Sequence, residues 1–326
     1  MRSTSPIILF YTSYFGKPVD IAAIPECGSP VEWTNDRRRL SEATAVVFHL
    51  PDFREIGDAR KYGGQDWVAW SMESRRNYPL MADPRFMRHF DITMTYETGS
   101  DVWAPYLPPH AFWQKARANP VARKTETALA VHFQSSKFDD SRRGALVAEL
   151  SHHIGVDRYG RHQPNRHVEG PDLGRQTKLE IISRYPFCLA LENSIAPDYV
   201  TEKMFDPLAA GTVPVYLGAP NAARFVPEKS YIDAASFGSP AQLAAYLRHL
   251  VETPAEYQAY FAWRDRPLPE RLADWITQSE LAPTCRLAAL VHRRLAERQP
   301  GLSRRSSLPF GPLPFLRARL RRWRKG

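Results

Sequence analysis

The stretch Tyr185-Pro-Phe-Cys-Leu-Ala-Leu-Glu-Asn-Ser-Ile-Ala-Pro-Asp-Tyr-Val-Thr-Glu-Lys203 gathers side chains that can hold a polar ligand. Asn193 and Tyr199 offer hydrogen bonds, Glu192 and Glu202 accept them, and Lys203 supplies a positive charge. Together these types suit a sugar nucleotide. The same spacing also describes an ordinary polar turn followed by a helix cap, and residue types alone leave both readings open. A second group surrounds Glu73, which follows the apolar run Trp67 to Met72 and has Arg75 and Arg76 beside it. From position alone, Glu73 is a carboxylate at the end of a strand or half of a surface ion pair.

The elements that must position these residues follow from apolar periodicity. Phe187 to Leu191 has strand length and is bounded by Pro186, and Thr201 precedes a helical pattern as an N-cap residue. A strand, a polar turn and a helix start are how α/β proteins place ligands at the carboxyl ends of strands. Further strands are expected at Ile7–Tyr11, Ala45–Leu50, Trp67–Met72, Ile92–Tyr96, Ala128–Phe133, Val156–Tyr159 and Thr212–Leu217. Helical spacing marks Ser141–His152 and Pro240–Glu252. Alternating strands and helices predict parallel sheets covered on both faces. Pro207 interrupts the helix expected after Thr201, because proline lacks the N–H that the helix would use.

The proline-rich stretch 105–127 is read as the connection between an N-terminal unit, 1–122, and a C-terminal unit, 123–300. Residues 301–326 form a tail. The chain carries a net charge of +9 over 326 residues. Eight basic residues and no acidic one lie in 301–326, so the rest carries about +1 and gives no charge-based reason to expect nucleic-acid binding. In the tail, Leu316, Leu320 and Trp323 share one helical face among arginines, the pattern of an interfacial helix on an anionic membrane; a disordered basic tail is the other reading. Cys27, Cys188 and Cys285 lie far apart and cannot all pair, so reduced thiols and a cytoplasmic location, with peripheral membrane contact, are expected. No apolar run has the length of a membrane span.

Several motifs are absent: the G-x-G-x-x-G dinucleotide loop, the Walker A loop, the G-x-S-x-G elbow and H-E-x-x-H. No Asp-x-Asp pair is present either, so a metal-held diphosphate is not indicated, and a diphosphate would need Arg, Lys and backbone amides. His152, His153, His162 and His167 have basic, loop-like surroundings and are read as surface residues. Trp103, Tyr106, Phe112 and Trp113 are candidates to stack on sugar rings or to fill core.

Leu191-Glu-Asn-Ser-Ile-Ala-Pro-Asp-Tyr-Val-Thr-Glu-Lys203 resembles the hallmark of the α-1,3/1,4-fucosyltransferases, Glu-Asn-Ser followed by Asp-Tyr-(Val/Ile)-Thr-Glu-Lys. Four more segments resemble that family in matching order: Trp70-Ser-Met-Glu-Ser74, Thr95-Tyr-Glu-Thr-Gly-Ser-Asp101, Val156-Asp-Arg-Tyr-Gly-Arg161 and Ala210-Gly-Thr-Val-Pro-Val-Tyr-Leu-Gly-Ala-Pro220 with Pro227-Glu-Lys-Ser-Tyr-Ile232. The resemblance spans roughly 66–235 and implies the GT-B fold, two Rossmann-like domains facing a cleft. It implies an inverting transferase that moves L-fucose from GDP-fucose to a glycan hydroxyl, O3 of N-acetylglucosamine or glucose, in a bacterial-type member.

By motif position Glu73 matches the family's general base, although Arg75 stands where the family has proline. Glu97, where many members carry arginine, is the competing carboxylate. Lys203 and Arg143 match the cations for the diphosphate, with Arg142 adjacent and able to exchange roles. Glu202 matches the ribose ligand, and Asn193 and Tyr199 match positions that touch the fucose or the diphosphate. No metal or other cofactor is expected. Alternatives are a GT-B transferase for another GDP-sugar and an inactive glycan- or nucleotide-binding protein.

Overall fold

A computed structural model describes residues 5–57 and 59–298. The tail at 301–326, with its proposed amphipathic helix, lies outside the described residues. The chain divides into two compact units, one made of Met1–Pro105 plus the segment starting at Leu281, the other of Tyr106–Glu280.

The first unit is a six-stranded parallel sheet in the order β2-β1-β3-β4-β5-β6. Its strands are β1 (Ile7–Phe10), β2 (Glu32–Thr34), β3 (Ala45–His49), β4 (Asp66–Ser71), β5 (Ile92–Thr95) and β6 (Val102–Trp103), with a one-turn helix α1 (Pro84–Met87) before β5. Central strands are buried on both faces: every residue of β3 is buried, and so is all of β4 but Trp70. That explains their continuous apolar runs, which two-sided burial demands of a parallel sheet.

The second unit starts with α2 (His110–Ala118) and has the sheet order β11-β10-β9-β7-β8. Its elements are β7 (Ala130–Phe133), α3 (Arg143–Ser151), β8 (Val156–Tyr159), α4 (Arg175–Ser183), β9 (Phe187–Leu191), α5 (Glu202–Ala210), β10 (Val213–Leu217) and β11 (Ile232–Asp233). Helices α6 (Pro240–Glu252), α7 (Pro254–Ala259) and α8 (Glu270–Glu280) complete it. Helix α6 lays Leu243, Leu247 and Leu250 into a core with Phe187, Leu189, Leu191, Val213 and Val215, and replacing one such leucine by alanine costs about 2–5 kcal/mol. All eight expected strands form. The three missed ones, β2, β6 and β11, have two or three residues each, too few for any periodicity to register.

The unit boundaries differ from those expected. The stretch 105–127 is no linker. Helix α2 buries Trp113 and Ala116, and the Trp113 ring meets Phe205 of α5 and Trp263 edge-on at 6.0 Å. Helix α9 (Pro283–Glu297) belongs to the first unit, where Leu287, Ala288 and Val291 join the core of the first sheet. Both ends of α9 are fastened. Cys285 forms a disulfide with Cys27, and Arg294 and Arg298 pair with the buried Asp66 at the start of β4 at 3.1 and 2.6 Å. The expectation of three reduced thiols is therefore corrected: only Cys188 is a free thiol, and the cysteines give no argument for a reducing compartment. Spacing could not foresee a pair 258 residues apart.

Pro207 lies inside α5 without ending it. Its ring is buried, and its carbonyl accepts from Thr212 N at 2.9 Å as the helix closes on Gly211, whose φ of 69° is the left-handed conformation that glycine tolerates. Among the described residues no helix is long and apolar enough to cross a membrane.

Candidate functional site

The strand order of the second unit reverses between β7 and β9, because β8 lies outside β7 while β10 and β11 continue beyond β9. In open parallel sheets, ligands bind at such a switch point, in the crevice beyond the carboxyl ends of the strands. Two loops leave the sheet there: 134–142 after β7 and 192–201 after β9. They carry Arg143, Asn193, Tyr199, Glu202 and Lys203 at or near their ends, so the structure brings five of the six sequence-derived site residues to one place.

Glu192 organises this corner. Its carboxylate is fully buried and accepts from the backbone N–H and the hydroxyl of Thr201, at 2.8 and 2.9 Å. The Lys203 ammonium sits 3.2 Å from the same carboxylate and donates to Glu202 at 3.1 Å and to Thr201 Oγ1 at 2.9 Å. Thr201 thereby caps α5 and braces the loop at once. Burial works against a charged lysine here, but Glu192 and Glu202 outweigh it and hold the Lys203 pKa above its usual value. Burial pushes Glu192 above the ordinary carboxylate value, with Lys203 opposing, whereas Lys203 and Lys178 overcome burial at Glu202 and lower it. The result is a fixed cation at a helix N-terminus, where backbone N–H groups also point outward.

Arg143 is 1% exposed and donates to three carbonyls, those of Leu191 at 3.3 Å, Ser136 at 3.1 Å and Phe138 at 2.9 Å. It therefore ties the first loop to the end of β9. Three of its five N–H donors are thus engaged, and its Nε has no hydrogen-bond partner among the described residues. Arg142 is exposed and left-handed, with φ 57°, so the two arginines are not interchangeable in this arrangement. Asn193 is buried, and its carbonyl accepts from Ser141 N at 3.3 Å, while the Ser141 hydroxyl donates to Glu192 O at 2.6 Å. Tyr199 is buried and meets Tyr106 edge-on at 6.2 Å.

Two residues here escaped the sequence reading. His132 in β7 is buried, with Nδ1 donating to Leu189 O at 3.0 Å; burial drops its pKa to about 4, with Arg143 and Lys203 adding to the shift. Gly160 has φ 103°, and a Cβ there would stand 2.3 Å from Gln134 O, so the loop after β8 can lie on the loop after β7 only with glycine at that position. The motif Tyr159-Gly-Arg161 carried that signal.

Glu73, the sixth residue, is in the first unit on the turn after β4. Its N–H donates to Ser71 Oγ at 3.0 Å. Arg75 pairs with Glu97, so the competing carboxylate is engaged by the residue that replaces the family's proline. The first sheet also reverses order, between β1 and β3, and its switch point is aromatic. Tyr14 stacks on Trp70 with centroids 5.0 Å apart and planes 14° apart, and Phe15 meets His49 at 4.7 Å. Tyr14 and Phe15 are 40% and 48% exposed. Asp52 Oδ2 holds this corner by accepting from Phe15 N at 2.7 Å and from His49 Nδ1 at 2.6 Å, with Phe15 left-handed at φ 50°. His49 Nε2 is buried without a hydrogen-bond partner among the described residues. Burial, then the charge of Glu73, raises the pKa of Tyr14, which places the phenol within electrostatic reach of that carboxylate. Exposed aromatics in a loop have no period, so sequence alone did not find them. Of the aromatics proposed as sugar platforms, Trp113 is core and Trp103 Nε1 donates to Tyr96 O at 2.9 Å.

The family model described as "Fucosyltransferase, N-terminal" matches residues 3–107, and "Glycosyltransferase family 10 (fucosyltransferase) C-term" matches 121–302. The Homo sapiens 4-galactosyl-N-acetylglucosaminide 3-alpha-L-fucosyltransferase FUT6 is 35% identical over 283 residues, 81% of this chain and 74% of that protein. The Pan troglodytes 3-galactosyl-N-acetylglucosaminide 4-alpha-L-fucosyltransferase FUT3 is 34% identical over 278 residues, 81% of this chain and 71% of that protein. Among solved structures, an alpha1,3-fucosyltransferase with GDP-fucose superposes with a TM-score of 0.58 at 15% identity, covering 93% of this chain and 94% of the other. That likeness shows the fold, and with it the GT-B class of two Rossmann-like units. With both family models matched in order and about a third of the aligned positions identical to these relatives, the chain belongs to glycosyltransferase family 10, the fucosyltransferases.

Proposed function

We propose that this enzyme moves L-fucose from GDP-fucose to O3 of N-acetylglucosamine or glucose in a glycan, with inversion and without a metal. The observation that carries this reading is the charged corner at the switch point of the second sheet, where Lys203 is kept cationic beside Glu202 at the start of α5. Departure of GDP places negative charge on the β-phosphate, and a fixed cation with helix N–H groups lowers the cost of that charge. Lys203 neutralises the leaving diphosphate and Arg143 assists with a donor that the carbonyls leave unused. Glu202 accepts from ribose hydroxyls, and Asn193 and Tyr199 contact the sugar or diphosphate. Glu73 removes the acceptor proton as the hydroxyl oxygen attacks the anomeric carbon. The exposed Tyr14 and Phe15 stack on acceptor sugar rings, whose C–H faces suit aromatic surfaces.

The relatives include both a 3-alpha-L- and a 4-alpha-L-fucosyltransferase, so linkage is part of the proposal. The test is an acceptor array incubated with GDP-fucose and with other GDP-sugars, with and without EDTA, followed by linkage analysis. Transfer from GDP-fucose to O3, unchanged by EDTA, is expected. Transfer from another GDP-sugar alone, or dependence on a divalent cation, sinks the reading. Nucleotide binding with no transfer to any acceptor favours an inactive binding protein. Placement at a membrane is a separate proposal resting on the basic tail, tested by vesicle sedimentation of the full chain and of a chain lacking 302–326.

A further inference from the structure

The donor loop 192–201 contains a strained residue. Asp198 has φ 62°, a left-handed conformation that costs a non-glycine residue free energy and persists only where surroundings fix it. The loop after β10 does the fixing. Asn221 Oδ1 accepts from Asp198 N at 2.9 Å, and Asn221 Nδ2 donates to Asp198 Oδ1 at 2.7 Å, a reciprocal pair. One residue further along the loop, the Tyr199 carbonyl accepts from the buried Tyr216 hydroxyl at 3.2 Å, and that hydroxyl accepts from Ala219 N at 3.0 Å. Gly218 leaves room for it, since a Cβ there would stand 2.3 Å from the Tyr216 oxygen and 2.6 Å from Glu192 Cγ.

We propose that Asn221 and Tyr216 are positioning residues for the donor: they latch the strained Asp198–Tyr199 turn and so hold Tyr199 and the α5 N-terminus ready for GDP-fucose. Neither residue belongs to the Glu-Asn-Ser…Glu-Lys motif. The latch acts on the loop backbone, not on the ligand. This rests on the donor-site reading above.

The reciprocal geometry provides the test. Asn221→Asp sets two carboxylates against each other, whereas adding Asp198→Asn restores the pair with its partners exchanged. In Asn221→Asp, GDP affinity by calorimetry falls and the donor KM rises by about tenfold, the size expected for one lost hydrogen bond with two carboxylates left facing each other. The acceptor KM stays within twofold. The double variant returns toward wild type, and Tyr216→Phe, which removes only the hydroxyl, shifts the donor KM less and in the same direction. Amide hydrogen exchange across 196–200, read without ligand, speeds up in Asn221→Asp and slows again in the double variant. Unchanged exchange and donor KM in Asn221→Asp, or a double variant no better than the single, overturns the latch. Altered exchange in a protein whose wild type binds no GDP supports the latch and refutes the donor reading instead.

Discussion

The two sheets follow one plan and present opposite chemistry. Each places its second strand outside its first and continues outward from the third, so each has a switch point between the first and third strands. In the second unit that point holds Lys203 between Glu192 and Glu202, with Arg143 buried behind. In the first it holds Tyr14, Phe15, Trp70 and a His49–Asp52 pair, with Glu73 on the turn after the next strand. Topology therefore dictates where a ligand goes, through strands that splay their loops apart. Side chains set the chemistry of each crevice: charged in the second unit, aromatic in the first.

Glu73 separates the roles of the two crevices most clearly. Glu73→Gln is expected to lower kcat by about 10²–10⁴-fold while GDP affinity in calorimetry is unchanged, the mark of a base that works on the acceptor alone. An equal loss of GDP affinity would mean that the two crevices do not divide the labour.

Lys203→Met should damage both the donor step and the fold. It leaves Glu192 buried without its cation, a loss on the order of 3–5 kcal/mol for a broken buried pair, lowered here because Lys203 is partly exposed. Thermal unfolding checks this. Adding Glu192→Gln should recover part of the Tm and none of the activity.

His132 sharpens the electrostatic half. Its native pKa of about 4 lies below the unfolded value near 6.5, so the unfolded chain binds the extra proton between those values. Stability is therefore full above about pH 6.5 and falls by about 3 kcal/mol as the pH drops to 4. In His132→Gln that portion of the acid slope should vanish in denaturant titrations.

The smallest effect belongs to the aromatic corner. Tyr14→Ala is expected to raise the acceptor KM by about tenfold, from loss of an aromatic contact of about 1 kcal/mol and its buried area, and to leave the donor KM alone. A shifted donor KM would remove Tyr14 from the acceptor face.

Local sequence carries the fold class and most of the charged corner in the second unit. Buried parallel strands need unbroken apolar runs, and a capped helix start needs Thr201 with Glu202, so Phe187–Leu191 and α5 are written in local composition. The family resemblance then pointed to Asn193, Tyr199, Glu202 and Lys203 through the hallmark motif, and to Glu73 and Arg143 through other segments. What tertiary structure alone decided involves partners distant in sequence, where no periodicity connects the two ends. The Cys27–Cys285 disulfide and the Asp66 ion pairs attach α9 to the first sheet across more than half the chain, where a C-terminal unit running to residue 300 was expected. Asn221 reaches Asp198, and Phe15 meets His49, only because parallel strands bring separate loops to the same edge. The physical reason is common to all of them. Local sequence dictates backbone conformation and which face is apolar, whereas ion pairs, latches and aromatic stacks form where packing has already made the chain close on itself.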